Sequence, residues 1–187
     1  MMIVGRRHRS RRGFTLIELT IAGVIIGVLA VLATVSYRRW VRSSHISEAQ
    51  DMISQIRSAE ERFRAEYGGY LTISSALGPG NDYPNQNPGA FKTAWGASCS
   101  WCINDWSALT VRPSGPVVFG YSLIANNTPG NSPSQPTYAP AGFSFTSLTA
   151  PWYIIEADAK TDGPTGPSPW INVFSSSASN YLTVNGD

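Results

Sequence analysis

The sequence predicts an α+β protein in which one long N-terminal helix, membrane-spanning over its first half, packs on an antiparallel β-sheet. Three observations carry that expectation. No proline occurs before Pro79 in the 187-residue chain, and the apolar residues of this stretch are first continuous and then one-sided. All 13 prolines, with most of the glycines, serines and asparagines, follow Gly69. The same C-terminal region holds short runs of β-branched and aromatic residues bounded by turn formers.

The first element follows a basic leader. Arg6, Arg7, Arg9, Arg11 and Arg12 precede Phe14 with no acid among them. From Leu19 to Tyr37 there are 19 residues without a charge, close to the length a helix needs to cross hydrocarbon. Five arginines before this run outnumber Arg38, Arg39 and Arg42 after it, which favours a cytoplasmic N-terminus. A cleaved secretory signal is the rival reading, and Ala30 to Ser36 offers the small residues it would need. Glu18 is the anomaly. A carboxylate at the start of a membrane span is costly in lipid, and such residues mark function.

Helical periodicity continues past Tyr37. Ile46, Ala49, Ile53, Ile56, Phe63 and Tyr67 recur at spacings of three, four or seven, the stripe of an amphipathic helix. Glu60 and Arg64, four apart, read as a pair on its exposed face. Gly68-Gly69 supplies the stop. A helix from about Phe14 to Tyr67 would be roughly 80 Å long at 1.5 Å per residue. The chain therefore divides into a leader (1–13), a transmembrane helix (14–42), an amphipathic continuation (43–69) and a β-rich head (70–187).

Gly78 to Pro88 reads as turn-rich loop. Five strand-like runs follow: Val117 to Ala125, Gly142 to Leu148, Trp152 to Ala157, Trp170 to Phe174 and Tyr181 to Val184. Their close spacing predicts antiparallel pairing, and the stripe from Ile46 to Tyr67 is the expected cover for the sheet's apolar face. Tryptophans and tyrosines are read as packing residues.

Charge and composition exclude several functions. Beyond Ser43 six basic residues face eleven acidic ones, so the head lacks the basic footprint of a nucleic-acid binder. No nucleophile elbow and no phosphate-binding glycine loop occurs, and His45 is the one histidine after the leader. No catalytic set, cofactor or metal site is expected. Cys99 and Cys102 enclose two residues and admit a redox pair, half a zinc site or a structural clip. Zinc lacks further ligands and a redox motif lacks its strand-to-helix context, which leaves a structural disulfide. Asp158, Asp162 and Gly163 have the offsets of a calcium loop, but Lys160 occupies a ligand position, so an ordinary polar turn is expected. Gly23 and Gly27 form G-x-x-x-G, a spacing that permits close helix approach.

The residues Gly13-Phe14-Thr15-Leu16-Ile17-Glu18, between a basic leader and an apolar helix, resemble the class III signal of type IV pilins. The segment SEAQDMISQIRSAEERFRAEYGGYL is similar to the helix and aromatic-glycine-tyrosine stretch of that family, and the resemblance runs from Arg11 to about Tyr70. It implies that a prepilin peptidase cuts between Gly13 and Phe14 and methylates the new Phe14 amine. It implies a precursor in the bacterial inner membrane and a homo-oligomeric extracellular fibre assembled by dedicated machinery, serving adhesion, motility or related roles. In the fibre, Glu18 of one subunit would pair with the Phe14 amine of a neighbour and select the axial stagger. The alternative is a pseudopilin of a type II secretion system, and beyond it a membrane-anchored binding protein or enzyme. Two departures from the family are visible. Val35 stands where many major pilins have proline, and the short Cys99–Cys102 spacing differs from the usual longer C-terminal loop.

Overall fold

The computed structural model describes residues 13–96, 98–131, 150–160, 170–177 and 179–185, the last as backbone only. It contains α1 (Leu16–Tyr67), a 3-10 turn (Trp106–Leu109), and strands β1 (Gly120–Asn126), β2 (Trp152–Ala159), β3 (Ile171–Ser176) and β4 (Ser179–Asn185). The strands form one antiparallel sheet in the order β1-β2-β3-β4. The molecule is α+β. Of the expected strands, Gly142 to Leu148 lies outside the described residues.

The chain divides into two compact units, one ending at Val41 and one beginning at Arg42. In the first, helix α1 is apolar on every side and exposed: Leu19, Val24, Ile25, Leu29 and Leu32 all lie open. A helix without a polar face has no stable place in water, and α1 is long and apolar enough to cross a membrane. Its backbone is helical throughout, including Gly27 and Val35.

In the second unit α1 becomes one-sided. Ala49, Met52, Ile53, Ile56 and Ala59 are buried, while Ile46 and Phe63 pack at the margin. Their partners are Tyr121 and Leu123 of β1, Tyr153, Ile155 and Ala157 of β2, and Ile171 and Val173 of β3. Alternate strand residues share a face, and the register places Tyr121 opposite Ala157 and Leu123 opposite Ile155. One sheet face is thus the floor of the core and α1 its lid.

Four local expectations change. Tyr67 is exposed and stacks on Phe63 with ring centroids 4.4 Å apart, because the stripe ends one turn before the helix does. Glu60 is fully buried instead of pairing with Arg64. Its Oε2 accepts the Leu71 N–H at 3.0 Å, while Arg64 donates to the Tyr70 hydroxyl. Strand β1 begins at Gly120, since Val117 makes an isolated bridge to Thr93 and the Val118 N–H donates to Glu48 Oε1 at 2.7 Å. Strand β2 runs to Ala159, so Asp158 lies within the sheet and not in a polar turn; Asp162 and Gly163 lie outside the described residues.

The helix stop matches its residues. Gly68 sits at φ +81 and its N–H bonds to Arg64 O, the left-handed cap that glycine adopts without a Cβ penalty. A Cβ on Gly69 would lie 2.8 Å from the Asn127 side chain, which clamps Tyr70 through its N–H and its C=O. Two glycines therefore turn the chain from helix to head.

Candidate functional site

The N-terminal segment is built by the first helical turn. The Leu19 N–H donates to Thr15 O at 3.2 Å, which makes Thr15 the N-cap and Glu18 the third helical residue. The Thr15 hydroxyl accepts the Glu18 N–H at 3.3 Å. In return the Thr15 N–H and hydroxyl donate to Glu18 Oε2 at 2.9 and 2.8 Å. This is a reciprocal capping box, T-x-x-E, which satisfies two backbone donors that a helix start leaves open. The spacing was visible in the sequence; reading Glu18 only as a buried charge overlooked it.

The box leaves Glu18 Oε1 without a partner among the described residues. Phe14 is 88% exposed, and a Cβ on Gly13 would meet nothing within 4 Å. The Gly13–Phe14 bond thus precedes the cap in open chain. Gly23 and Gly27 likewise present open backbone, where an added Cβ would meet nothing within 4 Å.

Cys99 and Cys102 are joined in a disulfide, with Cα atoms 5.4 Å apart. Both pack against the core margin. The Ile103 N–H that follows donates to Ile73 O at 2.7 Å, and Asn104 Nδ2 donates to Thr72 O at 2.7 Å. The disulfide loop is tied to the segment that leaves α1. Around it Tyr83, Trp95, Trp101 and Trp106 form a ring cluster with centroids 4.9 to 6.3 Å apart. Among the described residues no group of three histidine, cysteine or acidic side chains is arranged to hold a metal.

A long apolar N-terminal helix that opens on G-F-T-L-I-E and lays its second half on a four-stranded antiparallel sheet defines a pilin-like protein. Residues 8–34 match the model of the prokaryotic N-terminal methylation motif. The chain is 35% identical over 77 residues to the type IV major pilin protein PilA of Myxococcus xanthus, covering 41% of this chain and 35% of that one. It is 41% identical over 51 residues to the type IV major fimbrial protein FimA of Dichelobacter nodosus, covering 27% and 33%. With a fimbrial protein of Pseudomonas aeruginosa it shares 33% identity over 75 residues, covering 40% and 47%. The matched part thus spans about a third to a half of these relatives. No solved structure matches the chain significantly. By its N-terminal segment the chain is similar to type IV pilins.

Proposed function

We propose that the chain is the structural subunit of a type IV pilus, made as an inner-membrane precursor and polymerised through its N-terminal helix into a surface fibre. The observation that carries this is the conjunction of an exposed Gly13–Phe14 bond with a capped Glu18 at the head of an uncovered apolar helix. Prepilin peptidase would cut between Gly13 and Phe14 and methylate the new amine. The cut leaves the Thr15 amide intact, so the capping box survives maturation. Glu18 would then hold its own helix start with Oε2 and offer Oε1 to the Phe14 amine of a neighbour. Any other stagger leaves a buried ammonium and a buried carboxylate unpaired, which selects the register. Apolar helix surface passes from lipid to the fibre core, where Gly23 and Gly27 permit close approach.

The role is structural, not enzymatic, and homotypic contacts, assembly machinery and the membrane are its partners. Two measurements test the reading. Mass spectrometry of the mature protein should find residues 14–187 with one methyl group on Phe14. Electron microscopy of sheared surface fibres should find this chain as their main subunit. A mature terminus within Ala30 to Ser36 would make it an ordinary secreted protein. Short periplasmic fibres in place of surface ones would assign it to a type II secretion system.

A further inference from the structure

The sheet has a second face, and three acids are buried there. Register places Ser122 opposite Glu156, Gly120 opposite Asp158, and Asp158 opposite Asn172, all on the side away from α1. The segment 78–88 covers this face. The Gly78 N–H donates to Ser122 Oγ at 3.1 Å, and a Cβ on Gly120 would sit 2.6 Å from the Asp82 Cβ and 2.9 Å from Asn85 O. Tyr83 exchanges both backbone hydrogen bonds with Tyr121 at 3.0 and 2.8 Å, which ties the segment to the free edge of β1. Beneath it Asp82 and Asp158 are fully buried and Glu156 is 1% exposed.

The three carboxyl groups lie close enough to act on one another, since Gly120, against which Asp82 is laid, stands opposite Asp158, and Asp158 and Glu156 share one face of β2. As carboxylates they have fewer donors than oxygens. Among the described residues neither oxygen of Asp82 and not Oδ2 of Asp158 accepts a hydrogen bond. Asn172 Nδ2 donates to Asp158 Oδ1 and, at 3.3 Å, to Glu156 Oε1. The groups acting on the cluster are Asp82 from the covering segment, Ser122 from β1, Glu156 and Asp158 from β2, and Asn172 from β3. Among the described residues no lysine, arginine or histidine acts on it. Two buried carboxyl groups in contact attract only when one carries a proton, which supplies the missing donor and removes the repulsion.

We propose that segment 78–88 is a proton-held strap, docked on the outer face of the sheet while Asp82, Glu156 and Asp158 share protons and released as they ionise. Burial, first of all, and then mutual repulsion push Asp82 and Asp158 well above the ordinary carboxyl range, and burial pushes Glu156 up to about 7. Release hydrates the carboxylates and sheds one proton to solvent for each group that ionises. The open population therefore rises about tenfold per pH unit per ionising group between the ordinary carboxyl pKa of the open state and the raised pKa of the docked one, and levels off above it. The direction is opposite to ordinary acid denaturation. The head closes as its surroundings acidify and loosens as they become alkaline.

The strap carries its own reporters. Trp101 Nε1 donates to Asp82 O at 3.1 Å, and Tyr83 packs against Trp95, Trp101 and Trp106. In full-length protein in detergent, tryptophan fluorescence and amide protection of Tyr83 and Tyr121 should be followed from about pH 5 to about pH 9. Both should change above neutrality, while amides of the β2–β3 ladder stay protected. Asp82→Asn removes the strap's ionisable group and should keep Tyr83 protected at the alkaline end. Glu156→Gln gives the same readout if the first variant does not fold. Protection independent of pH, or rising with pH, overturns the proposal. So does docking at alkaline pH that millimolar calcium restores and a chelator abolishes, since a cation would then hold the strap in place of protons.

Discussion

Glu18 caps its own helix, and the proposed fibre gives it a second, separable task, because a helix cap needs a hydrogen-bond acceptor and an intersubunit pair needs a charge. Glu18→Gln keeps an oxygen for the Thr15 N–H, whereas Glu18→Ala loses cap and charge together. Both variants should be cleaved and both should fail to form fibres, with the first helical turn fraying only in the alanine variant. Electron microscopy with an immunoblot for cleavage reads the first effect, and amide exchange at Thr15 and Glu18 the second. Normal fibre numbers from Glu18→Ala would end the assembly role. Gly13 makes the complementary case. A Cβ there meets nothing within 4 Å among the described residues, so Gly13→Val should leave the head's thermal unfolding unchanged and block processing. The block would then arise in the peptidase's binding site. Uncut precursor with a native melting curve is the expected outcome.

The segment leaving α1 and the loop closed by Cys99–Cys102 are small elements whose stability comes from a few named bonds. The disulfide closes so short a loop that it restricts the unfolded chain little, and its reduction should cost about 2 kcal/mol. Thiol titration of the folded protein should find no free cysteine, and denaturant midpoints with and without reductant should give the difference. Glu60 holds the turn after α1 through the Leu71 N–H, and burial, as the largest cause, raises its pKa to about 7. A carboxyl raised in the folded state contributes stability that is full below its unfolded pKa and lost as pH rises through the folded one. Glu60→Gln removes this loss. Between about pH 5 and pH 8 the variant should lose less stability than the parent, while the strap over β1 still opens in both. An equal pH slope in the two proteins would show that Glu60 does not titrate in this range.

At the scale of the molecule, two units share one continuous helix backbone, and the same helix meets different demands in each. Up to Val41 it offers apolar surface on all sides, and from Arg42 it offers a stripe that completes a core. Damage to the core should therefore be confined to the head. Ile53 is fully buried among the residues of the sheet floor, so Ile53→Ala should destabilise the head by about 2–5 kcal/mol through lost burial and the cavity left behind. Chemical denaturation measures that cost. Cleavage after Gly13 should proceed at the parental rate, because the proposed cleavage site lies in the other unit. A processing defect in the Ile53 variant would mean that the head takes part in presentation to the enzyme.

What the sequence determined by itself was whatever depends on neighbours in the chain. The basic leader, the uncharged run from Leu19 to Tyr37, the glycine stop at Gly68 and the helical stripe over Ala49, Ile53 and Ile56 are local signals, and the structure bears out the last three as helix, cap and core. Three of the four strand runs that fall among the described residues lie within a residue or two of their observed bounds, because β-branched content and flanking turns are also local. The capping box was equally local and was missed only because Glu18 was assigned one task. The burial of acids was decided by tertiary structure alone. Glu60 looks like a surface partner of Arg64 until the Leu71 amide comes back against it. Glu48 looks like a solvated helix residue until Val118 and Lys92 reach it from about 44 to 70 positions away. Asp82, Glu156 and Asp158 read as loop, strand and turn in isolation. They become one cluster because the segment around Asp82 is laid across the outer face of β1 and β2, and which distant segment covers a polar side chain is not encoded in the residues beside it.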